Sequence, residues 1–139
     1  MFLVDTSVWI DYLNGRQTGP VANLRDALTN RRPVALTEFI YLEILQGVRD
    51  LGTFGRVQRS LARQTFLGPL RRLRTYSDAA RLYRRCREAG ITPRSTLDCL
   101  IAIIAIEHRA WLLHDDRDYE QIARAEPRLG RLLVPRASG

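Results

Sequence analysis

The chain has 139 residues, 45% of them hydrophobic and 27% charged, which is the length and composition of one folded domain and excludes a disordered or fibrous protein. Its net charge of +7 comes from 22 basic residues against 15 acids, and every basic residue is Arg. The two cysteines, Cys86 and Cys99, have neither CxxC spacing nor a neighbouring His, which argues against a zinc site or a disulfide framework and makes reduced, cytosolic thiols the expectation.

Met1 runs straight into an apolar stretch with no basic leader, and the longest apolar run, Cys99 to Ile106, is far short of the roughly 20 residues that cross a bilayer. A cytoplasmic protein is expected. Phe2-Leu3-Val4 reads as a short strand buried on both faces, and Asp5-Thr6-Ser7 ends it where a helix carrying Trp9, Ile10 and Leu13 begins. Asp5 is then either the N-cap of that helix or a carboxylate delivered to the carboxyl edge of a central strand, where open α/β sheets form their ligand sites.

Asn14-Gly15 stops the helix, and Val21, Leu24, Ala27 and Leu28 recur at helical spacing until Asn30-Arg31-Arg32-Pro33 breaks the pattern. Val34 to Thr37 is a second buried strand, so strand, helices and strand start a βαβ arrangement. From Glu38 to Gly47 a helix is predicted with Phe39, Leu42, Ile44, Leu45 and Val48 as its apolar stripe. Glu43 sits between two of these residues, either solvated at the stripe's edge or turned into a site.

After Gly52 and Gly55, a helix places Phe54, Val57 and Leu61 on one face and Arg56, Arg59 and Arg63 on another. A second helix from about Ser77 turns Ala79, Leu82, Tyr83 and Cys86 inward and Arg81, Arg84, Arg85 and Arg87 outward, with Gly68 to Leu73 between the two as a loop with room for a short strand. Eleven Arg but only two acids, Asp78 and Glu88, lie between Leu51 and Leu97. Codon bias explains Arg in place of Lys, but it does not explain clustering; two successive Arg faces fit phosphate contact.

Ser95-Thr96-Leu97-Asp98 has capping-box spacing, so Asp98 is either a first-turn acid serving the helix dipole or a site residue. Leu100, Ile101, Ile103, Ile104 and Ile106 make that helix apolar nearly all round, which buries it and fixes its first turn. Trp111-Leu112-Leu113 is a third buried strand, and His114-Asp115-Asp116-Arg117-Asp118-Tyr119 repeats the arrangement at Asp5, with acids between a strand and a helix. Leu132-Leu133-Val134 is predicted as an edge strand. Residues 1–135 are expected to form a single domain, and residues 136–139 a frayed tail.

Asp5, Glu43, Asp98 and Asp116 thus share a topological address. Carboxylates brought that close repel one another unless a divalent cation lies between them, and an oxygen-only ligand set suits Mg²⁺ or Mn²⁺.

Val4-Asp5-Thr6-Ser7, Leu42-Glu43-Ile44-Leu45-Gln46-Gly47, Leu97-Asp98-Cys99-Leu100-Ile101-Ala102 and Leu112-Leu113-His114-Asp115-Asp116-Arg117-Asp118-Tyr119 together resemble the PIN-domain ribonucleases, in particular the VapC-like toxins of toxin–antitoxin pairs. The resemblance runs from Phe2 to about Ile122. It implies an α/β/α sandwich with a mostly parallel central sheet of four to five short strands. It also implies a Mg²⁺ or Mn²⁺ site held by Asp5, Glu43, Asp98 and Asp116, metal-dependent cleavage of RNA, a homodimer, and a small antitoxin that blocks the site. Ser7 falls where the family keeps a polar residue, beside Thr6, and Asp118 where it keeps a second, supporting acid. His114 stands where Thr or Ser is usual, and Asp115 and Glu38 are rivals to Asp116 and Glu43. The Asp-x-Asp spacing from Asp116 and the Gly47 that follows Glu43 favour the assignments made.

Rival classes fit the residues less well. An aspartyl-phosphate phosphatase or receiver domain needs a Lys to meet the phosphoryl group, and this chain has none. A catalytically silent module that binds RNA or protein on the same fold is the alternative that the acids argue against.

Overall fold

A computed structural model describes residues 1–136. The backbone gathers into two compact units: Met1–Leu67 with Leu113–Asp115 and the residues from Pro135, and Gly68–Leu112 with Asp116–Val134. Of the expected frayed tail, Arg136 lies 3.6 Å from Asp115, and residues 137–139 fall outside the described residues.

The first unit runs β1 (Phe2–Val4), α1 (Thr6–Leu13), α2 (Gly19–Thr29), β2 (Val34–Leu36), α3 (Glu38–Gln46), α4 (Leu51–Ala62) and β3 (Thr65–Phe66). With β4 (Trp111–Leu113), the strands form a four-stranded sheet in the order β3-β2-β1-β4. β1 pairs with β2 and β2 with β3, both parallel, in the registers Phe2 to Val34 and Ala35 to Thr65. Successive strand side chains leave opposite faces, and Leu3, Val4, Ala35 and Leu36 are all fully buried. The sheet is therefore covered on both sides, as a parallel sheet of the α/β/α class requires.

Each helix that follows a strand in this unit begins with a side-chain cap. Asp5 accepts from the Ser7 N–H at the head of α1, and Thr37 accepts from the Ile40 N–H at 3.0 Å at the head of α3. These are the caps that Asp and Thr supply most readily. They fix where the helices leave the carboxyl edge of the sheet.

Three details differ from the sequence reading. The third strand lies at Thr65–Phe66, just upstream of the loop expected to hold one; Leu67 N–H reaches the Leu36 carbonyl at 2.9 Å, and Phe66 packs edge-on against Tyr41 with ring centres 5.6 Å apart. On α3 the core is formed by Ile40, Ile44 and Leu45, while Leu42 is 56% exposed. Leu42 falls between the i and i+4 rows that face inward, so an apolar side chain alone was a poor guide to its direction. Finally, Leu132–Val134 makes a single parallel bridge, Leu112 to Leu133, rather than a strand. Pro135 follows at once and has no N–H to extend a ladder.

The second unit holds α5 (Leu73–Glu88), α6 (Thr96–His108), α7 (Arg117–Ala125) and the single turn α8 (Pro127–Gly130). α6 is buried along most of its length through Cys99, Ile101, Ala102, Ile103, Ile104 and Ala105, as its uniform apolarity predicts. α5 presents Ala79, Leu82 and Cys86 inward. Cys86 and Cys99 are fully buried free thiols, and burial pushes the Cys99 thiol up to about 12.

Polar contacts brace the same unit. The Thr75 hydroxyl, fully buried, donates to Glu107 at 2.8 Å, and the Leu70 N–H donates to Glu107 at 3.2 Å. Glu126 is 5% exposed and accepts from Arg85 at 2.8 Å and from Arg128 at 2.9 and 3.0 Å. A carboxylate this deep in the fold is retained because both its oxygens are used.

Candidate active site

In the first unit Asp5 stands where a strand becomes a helix, and Glu43 lies in the middle of α3. Asp5 follows β1, with its own N–H held by the Leu113 carbonyl at 2.9 Å, and it is only 7% exposed. Its Oδ2 accepts from the Ser7 hydroxyl at 2.9 Å and from the Ser7 N–H at 3.4 Å. The capping role is thus real, and it also orients the carboxylate. A cap and a site residue are not exclusive.

Thr6 Oγ1 donates to Glu43 Oε1 at 2.8 Å, which ties the first turn of α1 to the middle of α3. Glu43 is half-buried and engaged, rather than solvated at the edge of an apolar stripe. Its rival, Glu38, is exposed in the first turn of α3.

In the second unit Asp98, Asp116 and Asp118 each offer a carboxylate oxygen within 4.8 Å of the others. Asp98 sits in the first turn of α6, whose Ser95 cap accepts from the Leu97 N–H at 3.1 Å. Asp116 caps α7, accepting from the Asp118 N–H at 2.9 Å. Two helix starts therefore converge, and the partial positive charge of each offsets some of the repulsion between the acids. All three carboxylates are half-buried, within reach of an ion. Oxygen-only donors, a formal charge of three and this spacing fit a hard divalent cation. Asp115 is spent elsewhere, beside Arg136.

Sequence reasoning missed Arg94. Its Nη2 donates to Asp116 Oδ2 at 2.7 Å, and both its Nε and its backbone N–H donate to Asp118 Oδ2 at 3.1 Å. These bonds, to Asp118 first and then Asp116, hold the guanidinium still more firmly protonated than usual. The available signal was an Arg directly after Pro93 and four residues before Asp98, in the loop that leads into the acid-bearing turn.

The arginines expected to meet RNA lie on α4 and α5 as predicted, but many are already paired. Arg81 bonds Asp78 at 3.0 Å, Arg84 bonds Glu88 at 3.3 Å and Arg85 bonds Glu126 at 2.8 Å. On α4, Arg56 donates to the Thr53 hydroxyl at 3.1 Å and Arg59 is exposed, as is Arg63 just past the helix's end.

A family model described as the PIN domain matches residues 2–125. The chain is 39% identical over 127 residues, 89% of this chain and 92% of the relative, to the protein named VapC ribonuclease Mb1587 from Mycobacterium bovis. It is similar to the same extent to the proteins named ribonuclease VapC11 from two strains of Mycobacterium tuberculosis.

Proposed function

We propose, given that the chain belongs to the PIN-domain family, that it is a VapC-type toxin, an endoribonuclease that hydrolyses phosphodiester bonds of RNA. The observation that carries this reading beyond the relatives' names is the set of three carboxylates, Asp98, Asp116 and Asp118, held within 4.8 Å at the heads of two helices. Residues 1–135 act as one PIN-like domain in this reading.

The cofactor is Mg²⁺ or Mn²⁺, and Asp5, Glu43, Asp98 and Asp116 are the metal-holding and catalytic acids. Ser7, Thr6 and Asp118 support them: Ser7 orients Asp5, Thr6 orients Glu43 through its hydroxyl, and Asp118 helps to set Asp116 by its N–H. A divalent cation bound there supplies a water of lowered pKa and charge for the scissile phosphate. The chain itself contributes orientation and charge, since fixed carboxylates need no reorganisation when the substrate arrives.

Arg56, Arg59, Arg63, Arg81, Arg84 and Arg85 form the basic surface that offsets the acids and draws in the RNA backbone. The substrate is a structured loop of tRNA or ribosomal RNA, recognised by shape and stacking. A small antitoxin inhibits the enzyme, which works as a homodimer in the cytoplasm. No helix of the described residues is long and apolar enough to cross a membrane.

The test is incubation of antitoxin-free protein with total RNA in Mg²⁺, in Mn²⁺ and with chelator, followed by mapping of new 5′ ends. Discrete cuts are expected with either ion and none with chelator. Cuts that persist in chelator would remove the metal from the proposal, and intact RNA that is nonetheless bound would point to a silent binding module.

A further inference from the structure

We infer that Arg94 is a built-in counter-ion that competes with the divalent cation for the Asp98, Asp116 and Asp118 cluster. The inference rests on the metal-holding role proposed for Asp98 and Asp116, which Asp118 supports. It starts from geometry that a purely structural ion pair does not need. Arg94 lays one guanidinium across two carboxylates, with Nη2 on Asp116 and Nε on Asp118. Both acids belong to the group whose oxygens approach within 4.8 Å of Asp98.

The side chain is 75% exposed, while those of Asp116 and Asp118 are 18% and 19% exposed. The guanidinium therefore lies on the solvent side of the two carboxylates, where it can swing away into water. The backbone N–H of Arg94 also bonds Asp118, so the loop stays docked when the guanidinium swings away. Three carboxylates this close carry a charge that must be compensated in the absence of an ion, and Arg94 supplies part of that compensation. A cation entering the cluster takes over the same role and meets the guanidinium as a like charge. Metal binding and the Arg94 contact are thus antagonistic, and binding of one weakens the other by the same factor.

The experiment is Mn²⁺ binding to the full chain, followed by electron paramagnetic resonance and calorimetry, for wild type, Arg94→Gln and Arg94→Lys. Arg94→Gln removes the charge but keeps the backbone N–H bond. Removing one positive charge beside a divalent ion in a partly exposed site should tighten Mn²⁺ binding by about three- to tenfold. Arg94→Lys, which keeps the charge, should stay near wild type. Asp98→Asn added to Arg94→Gln should abolish the gain, which places the ion at this cluster. Unchanged or weaker binding in Arg94→Gln would overturn the inference, because an arginine that merely positions the acids is missed when it is lost. Tighter Mn²⁺ binding with no RNA cleavage would leave the inference standing and remove the nuclease reading instead.

Discussion

Asp98→Asn is expected to lose RNA cleavage by on the order of 10²-fold or more, since altering even the outer partners of a metal ligand costs about 10–100-fold. The substitution keeps the size of the side chain and removes only its charge. Asp98 stands in the first turn of α6, so the helix loses a dipole interaction of about 0.3–1 kcal/mol, too little to unfold a helix buried through six residues. The thermal melt should move by a few degrees at most while activity collapses. Asp5→Asn is the companion variant, because Asn caps a helix as well as Asp does and leaves α1 in place. Glu38→Gln, at an exposed first-turn acid of α3, controls for a general change of charge and should cleave normally. Wild-type rates in Asp98→Asn, with the metal ion still required, would take this residue out of the catalytic set.

The largest expected effect on stability is at Glu126. Removing one partner from a buried ion pair costs about 3–5 kcal/mol, because the remaining charge is left uncompensated. Here the arginines that remain, Arg85 and Arg128, have side chains 45% and 62% exposed and turn to water, so Glu126→Ala should cost about 2–4 kcal/mol. The Arg128 hydrogen bonds, working against the burial of Glu126, hold its carboxyl below the usual carboxylate range.

A depressed folded-state value means that the unfolded chain binds the proton more readily. The stabilisation is therefore complete above the ordinary Glu value of about 4.3 and is lost as pH falls through the lower folded value. Denaturant unfolding at neutral pH should separate wild type from Glu126→Gln, and the separation should shrink below about pH 4. An equal gap at both pH values would mean that packing, not charge, is what Glu126 contributes.

Much of the fold can be read from local chemistry. Three apolar triplets, Phe2 to Val4, Val34 to Leu36 and Trp111 to Leu113, are strands, but the burial expected of the third holds only for Leu112 and Leu113, since Trp111 at its start is 49% exposed. The heads of α1, α3, α6 and α7 coincide with Asp5, Thr37, Ser95 and Asp116, residues whose side chains replace the missing acceptors of a first turn. The strand at Thr65–Phe66 was harder to see, since both its residues are exposed and only a neighbouring strand makes them β. Leu42 misled because helical phase, not hydropathy, decides which side chains turn inward.

The candidate site was legible as a set of acids and illegible as a set of contacts. Strand ends and helix starts are local features, so Asp5, Asp98 and Asp116 could be singled out from their neighbours. Arg94 lies 22 and 24 residues before the carboxylates it bonds, and only the folded loop brings it to them. The basic faces of α4 and α5 followed from periodicity, but the pairing of Arg81, Arg84 and Arg85 with nearby acids did not. Those pairs temper how much of their charge is available to an RNA backbone.

The buried thiols give the molecule a chemical clock. Cys86 and Cys99 lie at zero exposure, and burial raises both above the ordinary thiol value, so neither forms an appreciable thiolate while the second unit is closed. An alkylating reagent reacts with thiolate, and it meets these sulfurs only in molecules whose α5 and α6 have come apart. With reagent concentrated enough to outpace reclosing, the rate of their modification is the rate at which that unit opens, read without any introduced label.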